Sequence, residues 1–130
     1  MTYLAAHLAK RLDPTKLLPG ARAVICVADR YPSEAPARQT GDLGVGRIAR
    51  YAWGDDYHAV LGARTGALRD WIRGQHPAPL ETRVYVDTGP VQEKVYAQQA
   101  GLGWVGKNTC TIDARSGSFL FLGAIITTLA

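Results

Sequence analysis

Seven segments of the chain show a spacing of apolar residues that predicts regular secondary structure. In three of them apolar side chains recur every three or four residues, which indicates amphipathic helices. The other four are short apolar, β-branched or alternating runs, which are typical of strands. The pattern predicts helices over residues 2–12, 55–74 and 91–100, and strands over residues 21–28, 82–87, 109–113 and 118–128.

The order of these elements predicts the fold class. Helices and strands alternate, and the last two strands follow each other across a predicted hairpin turn at residues 114–117. This order is typical of α/β proteins, in which helices cover a sheet. We therefore predict an α/β fold with a mixed β-sheet flanked by helices, in a single domain over residues 1–130. The glycines and prolines of residues 31–46 predict a long loop, and loops of that length are usually functional or mobile.

Composition and charge exclude several classes of protein. The 130 residues are 47% hydrophobic and 20% charged, which excludes a disordered chain. No apolar run reaches the roughly 20 residues of a membrane span, and we expect no secretory signal. Cys26 and Cys110 are too few for a disulfide framework, so reduced thiols in the cytoplasm are expected. The net charge of +4 slightly favours an anionic partner.

A glycine-rich segment at residues 101–109 matches two nucleotide-binding patterns only in part. Gly101, Gly103 and Gly106 satisfy G-x-G-x-x-G, but a helix precedes the segment and a strand follows it, which reverses the dinucleotide-binding order. A P-loop would need Ser or Thr where Asn108 stands. A helix C-cap followed by a turn explains the glycines, and so does close approach to a flat ligand.

Two further segments carry candidate chemistry. Residues 47–58 mix cations and aromatic rings, which suits either a helix entrance with core anchors or a wall for an anionic or aromatic ligand, including unpaired RNA bases. Asp87 ends a predicted strand, where ligands of open α/β sheets bind and where a carboxyl group can act as a general acid. The same position also suits an Asx turn that caps the next helix.

Three long segments, in this order and at these separations, resemble the N-terminal domain of epoxyqueuosine reductases. They are IARYAWGDDYH at residues 48–58, YVDTGPV at residues 85–91 and AGLGWVGKNT at residues 100–109. Residues 13–25 and 117–129 are similar to that family as well. The resemblance thus covers nearly the whole chain.

The resemblance implies a function, its cofactors and its residues. Members of this family reduce epoxyqueuosine to queuosine in the anticodon loop of tRNA, with cobalamin bound in this domain and electrons from two 4Fe–4S clusters in the next. It implies a fold like that of cobalamin-processing and flavin-reductase-like domains, a three-layer sandwich. Asp87 corresponds to the proton donor. The implied cofactor- or substrate-facing residues are Arg50, Tyr51, Tyr57, His58, Gly103, Trp104, Gly106, Lys107 and Asn108.

Several features depart from the family pattern. The chain is expected to lack an N-terminal strand and helix, and it ends before any cysteine run that could bind the clusters. Ala124 stands where an acidic residue is expected. We therefore expect a partial cobalamin-binding domain without its iron–sulfur domain, inactive alone, with an unspecified electron donor and with neither membrane nor DNA as a partner. The alternatives are a non-catalytic corrinoid- or flavin-binding module and a small tRNA-binding protein.

Overall fold

The computed structural model describes residues 5–31, 46 and 48–130. The helices are α1 (Leu8–Leu12), α2 (Tyr57–Gln75) and α3 (Glu93–Gln99), with short 3₁₀ turns at Pro14–Lys16 and Arg50–Ala52. The strands are β1 (Ala23–Arg30), β2 (Thr82–Tyr85), β3 (Trp104–Val105), β4 (Thr111–Ile112) and β5 (Leu120–Thr127). The predicted long loop over residues 31–46 lies almost wholly outside the described residues.

The main sheet has β5 at its centre, between β1 and β2. Both neighbours pair with β5 in the antiparallel direction, with Ala23 and Thr82 each opposite Thr127. Because β1 and β2 therefore run the same way, their C-terminal ends lie at the same end of the sheet, near the start of β5. The candidate site lies at that end of the sheet.

The central strand is buried on both faces. Ile125 and Ile126 point to opposite faces of the sheet and are 1% and 0% exposed. On one face Ala124 and Ile126 pack with Leu17, Leu18 and Val91. On the other face α2 lies against β5, where Gly123 lies close to Leu61 and Thr65. Burial on both faces explains why this strand reads as a continuous apolar run.

The pairing of the strands differs from the prediction in two respects. The described pairings are all antiparallel, where a mixed sheet was predicted. The last two strands also do not form a hairpin with each other: β4 pairs with β3, which the sequence did not predict, and β5 pairs with β1 and β2. Only one bridge, between Asp113 and Gly117, joins the two sides of the predicted turn in the described chain. The reason is burial, since a strand that is apolar on both faces is stabilised most at the centre of a covered sheet.

The described helices include none that is both long enough and apolar enough to cross a lipid bilayer.

Candidate active site

A cavity of about 450 Å³ opens at the end of the sheet where β1 and β2 finish and β5 begins. Its volume is within the range of small-molecule sites. Aromatic rings and apolar side chains supply much of its wall, and two carboxyl groups and one ammonium group are part of it. The lining residues are Tyr31, Tyr51, Tyr57, Asp87, Glu93, Lys94, Cys110, Thr111, Ser118, Leu120, Phe121 and Leu122.

Asp87 is held in the cavity wall by a strained turn just after β2. Its φ of 56° lies in the left-handed region, which residues other than glycine adopt only at an energetic cost. The turn is tight: the Thr88 N–H donates to Val86 O at 2.6 Å. A Cβ at Gly89 would lie 2.8 Å from Cε1 of the Tyr85 ring, so the turn requires glycine there. The sequence around Asp87 therefore builds a conformation that presents this one carboxyl group.

The partners of Asp87 are side chains of α2. The Tyr57 hydroxyl donates to Asp87 Oδ2 at 2.6 Å, and His58 Nε2 lies 3.4 Å from the same oxygen. Asp87 does not cap α3, whose N-cap residue is Gln92. Of the two interpretations open from the sequence, the helix cap is therefore wrong, and the role of Asp87 as an acid stays a prediction.

The tyrosine that bonds Asp87 belongs to an aromatic stack. The Tyr57 ring lies parallel to Phe121 at 4.2 Å and over the His58 ring at 4.0 Å. Burial, followed by the hydrogen bond to Asp87, raises the pKa of Tyr57 well above its usual range. The hydroxyl therefore holds its proton and is the donor in its bond to Asp87.

His58 connects Asp87 to a second carboxylate. Asp56 is the N-cap of α2, and its Oδ1 accepts from the backbone N–H of His58 at 2.9 Å. The same oxygen lies 2.8 Å from His58 Nδ1. The hydrogen bond to Asp56 raises the pKa of His58, and desolvation opposes this in part. The charge of Asp56 and then the contact with Asp87 add smaller increases.

Glu93 and Thr111 add two polar atoms to the cavity wall that sequence analysis missed. Glu93 Oε1 and Thr111 Oγ1 are both buried, and the described protein offers them no hydrogen-bond partner. Burial, and then the negative charge of Asp87, raises the pKa of Glu93. Buried polar groups are normally hydrogen-bonded, so these two atoms are suited to meet polar atoms of a bound ligand.

The cationic and aromatic residues before α2 are only partly brought to the cavity. Tyr51 lines it and meets Tyr57 edge-on, with 6.5 Å between the ring centroids. The Arg50 guanidinium lies over Phe119 at 5.1 Å, and Trp53 donates through Nε1 to a backbone carbonyl. Tyr51 and Trp53 remain 53% and 42% exposed, which leaves ring surface available beside the site.

The glycine-rich segment forms β3 and the turn to β4. A Cβ at Gly103 would overlap the Ile112 carbonyl group, 2.8 Å from its carbon, and one at Gly106 would lie 2.6 Å from Ile112 Cδ1. The close approach of the Ile112 backbone therefore requires glycine at position 103 without any ligand, whereas at Gly106 the ends of two flexible side chains would have to shift. Gly103, Trp104, Gly106, Lys107 and Asn108 do not line the cavity, and this part of the chain reaches it through Cys110 and Thr111. Contact of the five residues with a cofactor stays a prediction.

Some of these residues carried a signal in the sequence and others did not. An aspartate at a helix N-cap two residues before a histidine is the spacing that lets one carboxylate bind both the backbone N–H and the ring of that histidine. Glu93 and Thr111 have no such local mark, because their position in the cavity wall depends on how α3 and β4 pack.

These features define an α/β domain that presents a carboxyl group and an aromatic wall at one end of its sheet. The family model described as epoxyqueuosine reductase QueG, DUF1730, matches residues 11–88. The chain belongs to this family, which confirms the resemblance seen in the sequence.

Individual relatives agree with the family match. The chain is 51% identical over 120 residues to an epoxyqueuosine reductase of Synechocystis, which covers 92% of this chain and 40% of that protein. The structure of epoxyqueuosine reductase from Streptococcus thermophilus matches with a TM-score of 0.85 at 33% identity, over 94% of this chain and 33% of that one. An epoxyqueuosine reductase solved with an epoxyqueuosine-modified tRNA-Tyr stem loop matches with a TM-score of 0.82 at 31% identity, over 93% and 32% of the two chains. The chain thus spans well under half the length of these proteins.

Proposed function

We propose that this chain is the part of an epoxyqueuosine reductase that holds the epoxide-bearing base of a tRNA and protonates its epoxide oxygen through Asp87. The observation that carries the proposal is the Asp87 carboxyl group, held by a left-handed turn and by Tyr57 in the wall of an aromatic-lined cavity. Membership of the family supports the reaction, and the relative solved with a modified stem loop supports tRNA as the partner.

The residues of the cavity suit this chemistry. Oxygen gains negative charge as an epoxide C–O bond breaks, and a positioned carboxylic acid lowers the barrier by supplying a proton. Within the described chain, Tyr57 and His58 both contact Oδ2 of Asp87, which leaves Oδ1 to face a substrate. The stacked rings of Tyr57 and Phe121 give a flat base an apolar surface.

The described residues also fit cobalamin at this end of the sheet. Glu93 Oε1 and Thr111 Oγ1 are buried polar atoms without a partner in the described protein, and the amide groups of a corrinoid could pair with them. The exposed faces of Tyr51 and Trp53 can cover a macrocycle too large for the cavity itself. Cobalamin, when bound, supplies the reducing chemistry at the epoxide carbon.

The remaining assignments follow from this function. Residues 1–130 form a cobalamin-binding three-layer α/β domain that works in the cytoplasm, where tRNA is modified. Electrons come from 4Fe–4S clusters held by other residues, since the chain has only two cysteines and each cluster needs several thiolates. Arg50, Tyr51, Tyr57 and His58 remain the proposed cofactor- or substrate-facing residues.

Binding to the chain is the first test. The purified chain is titrated with cob(II)alamin under anaerobic conditions, and saturable changes in the corrin absorbance bands are expected. A fluorescent anticodon stem loop carrying epoxyqueuosine is then expected to bind more tightly than the same loop with unmodified guanosine. A folded chain that leaves the corrin spectrum unchanged, or that binds both loops equally, would contradict the proposal and favour a simple RNA-binding module.

Turnover tests the role of Asp87. In a chimera that continues the chain after residue 130 with the corresponding part of the Synechocystis relative, Asp87→Asn should lower kcat by about 10²–10⁴-fold. Cobalamin binding should not change. Asp55→Asn is the matched control, because Asp55 lies near the same helix start but does not line the cavity of Asp87. Unchanged turnover of Asp87→Asn would remove this residue from the mechanism.

A further inference from the structure

Three partly exposed side chains form a connected row that ends at the candidate acid, whose own side chain is 65% exposed. Asp56 Oδ1 lies 2.8 Å from Nδ1 of His58, and Nε2 of the same ring lies 3.4 Å from Asp87 Oδ2. The imidazole therefore stands between two carboxylates, with one ring nitrogen directed to each. His58 is 38% exposed and can exchange protons with water.

Asp56 fixes which ring nitrogen carries the permanent proton. Its Oδ1 accepts from the backbone N–H of His58, which ties the carboxylate to the first turn of α2. An ionised carboxylate has no proton to donate, so Nδ1 must be the donor in the bond between them. In the neutral ring the proton then resides on Nδ1, and Nε2 is left as the atom that gains and loses a proton toward Asp87. Stacking on Tyr57 at 4.0 Å restrains the plane of the ring.

We propose that Asp56 is a positioning residue that orients His58 so that its Nε2 returns a proton to Asp87 after each turnover. The inference rests on the proposed function, in which Asp87 is the acid. Asp87 gives its proton to the epoxide oxygen and becomes a carboxylate. The imidazolium then transfers the proton on Nε2 to Oδ2 of Asp87 and becomes neutral. A half-turn of the carboxyl group about its Cβ–Cγ bond brings this O–H to the substrate side, and water in equilibrium with solvent protonates Nε2 again. One proton thus passes from solvent to the substrate, and no electrons are exchanged in this relay.

The groups around the row keep the imidazolium charged, so that it is present to donate. Two carboxylates stabilise the imidazolium, and the pKa of His58 is accordingly raised. The Tyr57 hydroxyl donates to Asp87 Oδ2 and Tyr51 stands beside Tyr57. From α3, Glu93 and Lys94 line the same cavity, and the pKa of Glu93 is raised by burial and by Asp87. The contact of 3.4 Å must shorten by a few tenths of an ångström for transfer, as catalytic hydrogen bonds commonly do when a substrate binds.

Nitrogen NMR of the chain labelled with ¹⁵N-histidine tests the arrangement without cofactor or tRNA. The chain has three histidines, and His58→Gln identifies the signals of His58. In the native chain neutral His58 is expected to carry its proton on Nδ1, and its pKa is expected to lie above the ordinary 6.5. In Asp56→Asn the pKa should fall toward 6.5, while α2 stays capped because Asn is as good an N-cap as Asp.

Two variants separate this effect from a general loss of charge. Asp55→Asn removes the neighbouring carboxylate and should leave the protonation state and titration of His58 nearly unchanged. Asp87→Asn should keep the proton on Nδ1, because the bond to Asp56 remains. A neutral His58 with its proton on Nε2, or a His58 titration that Asp56→Asn does not move, would overturn the inference.

The pH profile of kcat in the chimera gives the second readout. If Asp56 acts through His58, Asp56→Asn should move the fall in kcat at high pH to lower pH, since the imidazolium is then lost earlier. A purely structural role would lower kcat by the same factor at every pH, and that result would overturn the inference. Failure of the proposed function appears differently, as full turnover by Asp87→Asn with the His58 titration still as expected.

Discussion

Gly103→Ala distinguishes a structural role of the glycine-rich segment from a role in ligand binding. The added Cβ would overlap the Ile112 carbonyl group and lie 3.3 Å from the Asp113 nitrogen. These are backbone atoms of the β3–β4 ribbon, so no flexible side chain can give way. At φ +151° the backbone of Gly103 is also in a region that L side chains rarely adopt.

The expected loss of stability follows from these two effects. A sparsely populated backbone conformation costs about 1–3 kcal/mol, and forcing extra atoms into a packed region costs about 1–3 kcal/mol more. Together they lower the free energy of unfolding by about 2–6 kcal/mol, a large part of the roughly 5–15 kcal/mol that small domains have.

Urea unfolding followed by circular dichroism measures the loss, and Gly101→Ala is the control. Gly101 has a φ of +79°, but a Cβ there would meet no atom within 4 Å, so this variant should lose only the backbone contribution. Equal loss of stability in the two variants would refute the reasoning, because the overlap with Ile112 would then have no effect. A Gly103→Ala chain of native stability that no longer binds cob(II)alamin would instead support the ligand contact predicted from the sequence.

Three further predictions concern residues around the sheet. Thr65 is 2% exposed, and its hydroxyl has no partner in the described chain. Thr65→Val should therefore raise the free energy of unfolding by about 1 kcal/mol. The control Thr127→Val removes an acceptor for the Leu129 N–H and should lower the free energy of unfolding. Gly66→Ala lies in the interior of α2 with no atom near the added Cβ, and urea unfolding should show a gain of about 0.5–1 kcal/mol. The pKa of Glu93 is raised above its unfolded value of 4.5, so its contribution to stability is present below pH 4.5 and is lost as the pH rises through the folded-state pKa. Glu93→Gln should therefore be more stable relative to the native chain at pH 7 than at pH 4, and equal differences at the two pH values would contradict the argument.

The local sequence alone predicts the main helices and strands of the described chain. Spacing of three or four residues marks α2, and β-branched runs mark β1, β2 and β5, because these patterns reflect which side chains of one short segment are buried. The turn after β2 is equally local: Asp87, Thr88 and Gly89 build it within three residues. A specific run of residues was also enough for the family resemblance, which the family model confirmed.

Only the tertiary structure decides which strands pair and which side chains meet. The apolar pattern of β5 shows that both faces are buried, but its place between β1 and β2 depends on helices far away in the chain. For the same reason β3 was missed, since a two-residue strand has no periodicity and exists because β4 lies beside it.

The candidate site divides in the same way. Asp87 could be found from the sequence because its own turn presents it, whereas its contacts with Tyr57 and His58 join residues about 30 positions apart. Glu93 and Thr111 gain their place in the cavity wall from the packing of α3 and β4 around the end of the sheet. Local patterns record the burial of one segment, and the chemistry of this site depends on contacts between segments, which only the folded chain brings together.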